Sequence, residues 1–508
     1  QSQKTLHISA KKDYFVFKKN KPKVIKALKE GRIDYVADSR WSFSDEFFSF
    51  LLSAGFFDFV ENTYPSPRMR KNIPLWILIG LMFQLKLNLK NSFYRLPGIL
   101  KSGPILTRTS FNIGKVEGGF NKRNKYKRDL GNIVNQDTLR KYFKDTNADE
   151  LTSWNNTDVA KFFSSKQVIL KEGIFLLDGS IIPLPDNNNY EEAEYLPLDK
   201  HKNYVNVDKL PENEAKKFKY TLCYKMVNLL HISAKKDYFV FLGTKVAGGN
   251  SHDKPLGQKL VDDFVVSVGK GKIKKLIADR AFLDGDMIST FKVKYGIDTL
   301  IPLKKNMDAY LDAKGLARLE SKPWKKVDKL TSCYRAKKIK SYQGCDVDLN
   351  VILVKSKQKN GKVRLWSLAT TKDYFDPTQA VRDYKLRWQI EERYKQIKNT
   401  WLNQGFKSTD FNLVVAHIIF PLLTYSLIQI YLNIKKLADL ANKTMESMRA
   451  DQRLGKDAVI MHADGYYAVL DYHEGLYYVA FLEGKPLKRF RKWIAEFRTQ
   501  KYRVVYNP

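Results

Sequence analysis

The spacing of apolar residues changes twice along the chain, and each change marks a different kind of element. From about Trp41 to Asp145 the spacing is helical. SDEFFSFLLSAGFFDFV has a Ser cap and an acidic first turn ahead of its apolar face, as an amphipathic helix does. IPLWILIGLMFQLKLNL predicts a second, more buried helix, and NQDTLRKYFKD a short capped one. From about Val168 the runs become strand-like. VILKEGIFLLDGS, KYTLCYKMVNLLHIS and YFVFLGTKVAG predict three successive strands, the last two forming a hairpin about AKKD. Alternation follows: PLGQKLVDDFVVSV as helix, KKLIADRAF as strand, DGDMISTFKVKYG as helix and DTLIPL as strand. Three strands and then alternation predict an α/β protein with a mixed sheet.

Lys304 to Lys362 breaks that rhythm; it is polar, Lys-rich and β-leaning, and reads as an insertion. LWSLATT returns to strand, and DPTQAVRDYKLRWQIEERYKQIKNTWL is a long helix opened by Asp376 and Pro377. After Asp451 a Tyr-rich alternating tail predicts a hairpin and then a basic helix. The expected organisation is therefore a basic segment over 1–40, a helical domain over 41–150, and a core over 168–303 and 363–434. A β-rich insertion over 304–362 interrupts the core, and a C-terminal region over 435–508 offers dimerisation or DNA contacts.

Phe411 to Ile434 would span a bilayer by length, but Asn412, His417, Pro421, Gln429 and Asn433 interrupt it; a helix buried inside a large domain is expected, and no membrane partner. The 508 residues suggest two to four domains, at roughly 150 residues each. With 44% hydrophobic residues, wholesale disorder is excluded. Charge changes the picture more. Lys+Arg 89 against Asp+Glu 54 gives +35, which favours a polyanionic partner, nucleic acid first; a lysine-rich composition drifting with genome bias is the plainer alternative. Cys223, Cys333 and Cys345 form no CxxC pair, which excludes a disulfide scaffold and zinc-ligand spacing and predicts a reducing, intracellular site. The N-terminus lacks the apolar core of a signal peptide. Leu6 to Phe17 recurs identically as Leu230 to Phe241, which points to a recent duplication or an artefact without function of its own. The first copy runs into KKNKPK, expected to be a solvated tail.

Basic residues cluster at Lys122, Arg123, Lys125, Lys127 and Arg128, and again at Arg140, Lys141 and Lys144. A small helical DNA-binding domain and a solvated basic loop both fit them, since no helix-turn-helix signature decides. A C-terminal patch from Lys485 to Trp493 is open in the same way.

Asp178 and Asp279 each end an apolar strand, where the chain turns out of the core and catalytic groups collect. Two such aspartates and one more carboxylate can hold two Mg²⁺ about 3.5–4 Å apart; for either aspartate alone, a cap or salt bridge is the simpler role. On the long helix Tyr384, Arg387, Glu391 and Lys398 lie within a stripe roughly 60° wide at about 100° per residue, and Glu392 falls off it. Glu391 is therefore the better third acid, although Arg387–Glu391 also suits an ordinary i,i+4 pair. His252, in GGNSHDKPL, is expected to pair locally with Asp253.

YKLRWQIEERYKQIK resembles the Y-(2)-R-(3)-E-(6)-K signature of bacterial insertion-sequence DDE transposases, and FLLDGS and LIADRAF resemble that family's two aspartate blocks in order. The resemblance covers about Val168 to Lys398. It implies a ribonuclease H-like mixed sheet with flanking helices, a β-rich insertion and an N-terminal helical domain. It implies Asp178, Asp279 and Glu391 as a triad for two Mg²⁺ ions, with Mn²⁺ as a substitute, and Tyr384, Arg387 and Lys398 on transposon-end phosphates. Trp366 resembles a tryptophan that some members stack on a flipped base, though a strand tryptophan is commonly core. The implied activity is cleavage at terminal inverted repeats and strand transfer into target DNA, with hairpin chemistry in this group. The implied setting is a homodimer in a synaptic complex in the bacterial cytoplasm, at the nucleoid. A metal nuclease that cuts without joining and a catalytically silent DNA-binding relative are the alternatives.

Overall fold

A computed structural model describes residues 14–16, 18–33, 35–41, 43–68, 73–95, 109–111, 134–185, 189–199, 204–205, 207, 210–216, 218–320, 323–358, 360–402, 405–451, 454, 456–482, 484 and 503–504. The chain divides into two compact units, residues 147–442 and residues 1–146 with 443–508.

The first unit is built on one ten-stranded sheet. Its opening strands are β1 (Ile174–Pro183), β2 (Glu194–Leu198), β3 (Lys219–Ile232) and β4 (Phe239–Gly248). Helix α1 (Asp253–Val268), strand β5 (Lys275–Ala278), helix α2 (Gly285–Tyr295) and strand β6 (Asp298–Pro302) supply the alternation. β1, β3 and β4 are antiparallel neighbours, and β5 joins β1 in parallel, with β6 parallel beyond it. The order β4–β3–β1–β5–β6 is a ribonuclease H-like sheet. The predicted hairpin is β3–β4, and β2 extends the same edge by pairing with the first residues of β3.

The region 304–362 continues that sheet. After helix α3 (Asp308–Leu319) come β7 (Lys325–Lys326), β8 (Thr331–Ile339) and β9 (Leu349–Lys357), and β10 (Val363–Thr370) bridges β9 to β6. Burial on both faces explains the pairing: Val351, Ile352, Leu353 and Val354 are buried in one run, as are Leu368 and Ala369.

Beyond β10, α4 (Pro377–Tyr384) is capped by Asp376, whose side chain accepts from Thr378 N, and Pro377 presets its first turn. A 3₁₀ turn, Lys385–Arg387, leads into α5 (Trp388–Ile397), and a π turn, Lys398–Leu402, ends it. The long predicted helix is thus one rod with two changes of pitch. Helix α6 (Phe411–Ile434) is, among the described residues, the one helix long and apolar enough to cross a membrane, and its apolar window is wholly buried in the protein. It packs on β4, where Ser426 Oγ accepts from Phe241 N at 2.9 Å beside a register shift in the β3–β4 ladder.

The second unit joins both ends of the chain. Strands Arg503–Val504, Tyr35–Trp41, Lys456–Ala463, Tyr466–Asp471 and Lys18–Lys19 form its sheet in that order. Helices Lys21–Lys29 and Tyr472–Leu482 share a core with it through Val24, Leu28, Val459, Leu470 and Leu476. KKNKPK is therefore structured and not a tail: Asn20 caps the first helix, and Lys21 pairs with Glu474 at 2.7 Å. Helices Phe43–Ser53, Phe56–Thr63 and Leu75–Leu87 bury Phe47, Phe56 and Phe83 against one another. The two copies of the duplicated peptide take different partners. Tyr14–Val16 of the first pairs with Thr109–Phe111, and the second lies across the β3–β4 turn.

Candidate active site

In the parallel β1–β5 pair, Leu177 and Ala278 are register partners, so the residues that follow them stand abreast: Asp279 just past the end of β5, and Asp178, expected at a strand end, midway along β1, which stays paired with β3 as far as Pro183. Asp178 is 7% exposed, because β1 is buried up to that point, and Asp279 is half-buried. The Asp279 carboxylate also accepts from Ala281 N, capping the short turn Arg280–Phe282.

Helix α5 is clamped to this edge by its tyrosine. Tyr394 OH donates to Asp178 O at 2.7 Å and accepts from Asn228 Nδ2 at 3.3 Å, while Asn228 Oδ1 accepts from Thr244 Oγ1 at 2.8 Å. This buried relay across β1, β3 and β4 escaped the sequence analysis; its only signal was Tyr394 lying three residues beyond Glu391, on the same helix face. The clamp brings Glu391 to the aspartates. Arg387 Nη2 lies 2.6 Å from Glu391 Oε1, and its Nη1 lies 3.7 Å from Asp178 Oδ2. Lys398 Nζ donates to Ile181 O at 2.6 Å, on β1 just past Asp178. Glu392 instead pairs with Lys395 on the outer surface.

Burial, followed by the negative charges of Asp279 and Glu391, pushes the Asp178 carboxyl up to about 7, with Arg387 and the Gly179 N–H pulling the other way. Asp178 is thus within the electrostatic reach of both other acids. Tyr384, half-buried, packs on Trp366 at 5.9 Å between ring centroids, and the Trp366 indole donates to Ser356 Oγ at 3.3 Å. Asp253 takes Lys225 as its partner at 3.4 Å, not His252, which is exposed at the start of α1. Lys122, Arg123, Lys125, Lys127 and Arg128 lie outside the described residues, as does the basic patch from Lys485 to Trp493. Arg140, Lys141 and Lys144 are exposed on helix Gln136–Asp145.

Among the described residues no three acids, histidines or cysteines lie close enough together to hold a metal ion as the side chains stand, and the guanidinium of Arg387 is the cation between Glu391 and Asp178. The donor set nonetheless fits a hard divalent ion. All its ligands are carboxylate oxygens, and the Asp178 carboxyl is raised first by burial and then by the charge of Asp279, with Arg387 pulling the other way.

A ribonuclease H-like sheet with acids on its two central strands and on a helix bonded to them is a scaffold for metal-dependent phosphoryl transfer on nucleic acid. The Transposase DDE domain family matches residues 170–427, just over half of the chain and the whole of the sheet described above. The protein belongs to that family: it is a DDE transposase, an enzyme whose partner is DNA and whose family works with divalent metal ions. No curated protein is significantly similar to the chain.

Proposed function

We propose that Asp178, Asp279 and Glu391 are the catalytic triad, holding two Mg²⁺ ions or Mn²⁺ in their place, and that the enzyme cuts the ends of its element and joins them to target DNA. Bound there, the ions would activate the attacking oxygen and stabilise the leaving one in in-line displacements. The protein's own groups do the rest. Asp178 and Asp279 are fixed by the β1–β5 register, and Tyr394 sets the distance of α5 from β1. Arg387 and Lys398 offer donors to the phosphates of the terminal inverted repeat, with Arg387 exchanging its carboxylate partners for a phosphate. Trp366, edged by Tyr384, offers a stacking face to a displaced base. Because cutting and joining are the same displacement, one triad serves both steps, in a cut-and-paste reaction through a hairpin or by direct transfer. A homodimer bringing two ends together on the nucleoid suits this chemistry.

The observation that carries the proposal is the pair of aspartates abreast, Asp178 on β1 and Asp279 just past the end of β5, with the Glu391 helix bonded to Asp178 O. The test is a gel assay on labelled DNA bearing the element's own ends, with Mg²⁺ or EDTA. Wild type should cut and join only with metal, while Asp279→Ala and Glu391→Ala bind but do neither. Cutting by either variant would remove that residue from the triad, and cutting without joining would favour a simple nuclease.

A further inference from the structure

Helix α5 meets the β3–β4 hairpin through two successive residues. Tyr394 takes its bond from Asn228 on β3. Arg393, one position earlier, leaves the helix on another side, about 100° away. It is 3% exposed, and its guanidinium lies 4.1 Å from the ring centre of Phe239, the first residue of β4. Its Nη1 donates to Tyr425 OH on α6 at 3.3 Å and to Asn442 Oδ1 at 3.0 Å. Asn442 Nδ2 in turn donates to Lys236 O in the hairpin turn at 2.9 Å, and Gln396 Nε2 donates to Asn442 O at 3.3 Å.

A buried arginine ordinarily has an acid beside it. Among the described residues no carboxylate bonds Arg393, and its Nε has no partner. Such a cation is costly to bury, and for packing alone an unbranched apolar side chain of similar length would serve as well. What the guanidinium adds is direction, because a planar fork stacked on a ring and bonded at one edge holds a single orientation.

Orientation is what α5 otherwise lacks. A 3₁₀ turn precedes it and a π turn follows it, so its rotation is not inherited from a longer regular helix. Arg387 and Lys398 hold it through long side chains that the proposed function gives to phosphates. That leaves Tyr394, which alone is a pivot. Glu391 lies about 60° from Tyr394 and about 200° from Arg393 around the helix. A carboxylate stands roughly 6 Å from the helix axis, so a turn of about 10° moves it by about 1 Å. A misplacement of about 1 Å can cost about a hundredfold in rate. We propose that Arg393 is a positioning residue: it fixes the rotation of α5 and so holds Glu391 toward Asp178 and Asp279 after Arg387 and Lys398 have turned to DNA. The proposal rests on the place given to Glu391 in the triad above.

The test compares the full chain as wild type, Arg393→Met, Arg393→Lys and Asn442→Ala, the last at an exposed residue. Each is followed by urea unfolding, Mn²⁺ calorimetry without DNA, binding of end DNA in EDTA, and the rate of cutting with Mg²⁺. Arg393→Met should unfold near the wild-type urea midpoint and bind end DNA as wild type does. It should bind Mn²⁺ about tenfold more weakly and cut about a hundredfold more slowly. Arg393→Lys, which keeps a cation over Phe239, should recover about tenfold of that rate. Asn442→Ala should lose in the same direction, and combining it with Arg393→Met should add little, because both break one bond. Wild-type Mn²⁺ binding and cutting in Arg393→Met would overturn the proposal, as would stability, DNA binding and cutting that fall together. If Arg393→Met does not fold, Asn442→Ala decides alone, and wild-type cutting there overturns the proposal. Wild type that does not cut, or Glu391→Ala that does, would instead bring down the triad, and this proposal with it.

Discussion

Removing Asp383 should cost the protein several kilocalories, because the ion pair it leaves behind is buried. Lys275 opens β5 and Asp383 is the penultimate residue of α4; their side chains are 13% and 6% exposed and bonded to each other. Tyr374 OH and Gln379 Nε2 each donate to Asp383 at 2.8 Å, and burial beside Asp383 holds the Tyr374 hydroxyl far above its ordinary range. Asp383→Ala strands the Lys275 ammonium and two donors in a dry site, which typically costs about 3–5 kcal/mol. That is a large share of a fold's usual 5–15 kcal/mol and lowers its melting point by about 6–15 °C. Lys275→Met with Asp383→Leu removes both charges together and should fall within about 1 kcal/mol of wild type. Thermal and urea unfolding of the full chain as wild type, Lys275→Met, Asp383→Leu and the double variant closes the double-mutant cycle, with Asp383→Ala measured beside it. A single-variant loss below about 1 kcal/mol, or a double variant as unstable as the two singles summed, would refute the reasoning. The pair also bears on the site, since Glu391 stands eight residues, about 12 Å of helix, beyond Asp383.

Three further outcomes are expected. His231 accepts from Leu170 N at 2.9 Å and bonds Ile174 O at 3.0 Å, and burial pushes its ring down from 6.5 to about 4. Folding therefore holds it neutral; its contribution is intact above pH 6.5 and is lost as pH falls toward 4, roughly 3 kcal/mol in all. His231→Gln should flatten acid unfolding across that window, and an unchanged slope would place the titration elsewhere. Lys398→Ala should reduce the salt dependence of end binding by about one phosphate, a change of roughly 0.9 in the log–log slope; no change would return Lys398 to a purely structural bond with Ile181. Arg387→Gln should tighten Mn²⁺ binding to the DNA-free protein by about tenfold in calorimetry, and unchanged or weaker binding would show that Arg387 does not compete for the acids.

The succession of strands and helices was legible because buried strands read as apolar runs, and Asp279 does follow the end of one; Asp178 was expected at a strand end because the apolar run stops there, whereas β1 continues to Pro183. Less of the remainder was local. β2 escaped notice because its five residues, EYLPL, contain a proline and depend on β3 for their ladder. α3 was hidden in a Lys-rich stretch where Gly315 weakens the helical signal. The insertion strands are β-leaning but carry nothing that names a partner, so their joining to β6 through β10 was invisible. The joining of Lys18–Lys19 and Tyr35–Trp41 to strands after residue 455 is a pairing across more than 400 positions, which no local pattern encodes. Evenly spaced positions along a straight helix placed Arg387, Glu391 and Lys398 on one stripe, and the 3₁₀ and π turns alter the pitch at Arg387 and Lys398.

The arrangement of charge explains why such a site stays folded before it meets its substrate. Burying a carboxylate beside two others is costly, and the Asp178 carboxyl, raised first by burial and then by the charge of Asp279, is the visible sign of that cost. Arg387, bonded to Glu391 and facing Asp178, offsets part of it by standing against oxygens that a divalent ion would take. On the function proposed here, arriving DNA changes this balance. A backbone phosphate is as good a bidentate partner for the guanidinium as Glu391 is, and losing Arg387 to it leaves the acids more negative. Each phosphate bound then raises the affinity for metal, and by reciprocity each metal raises the affinity for phosphate. The residue that stabilises the idle site is thereby the one that ties its loading to the presence of DNA.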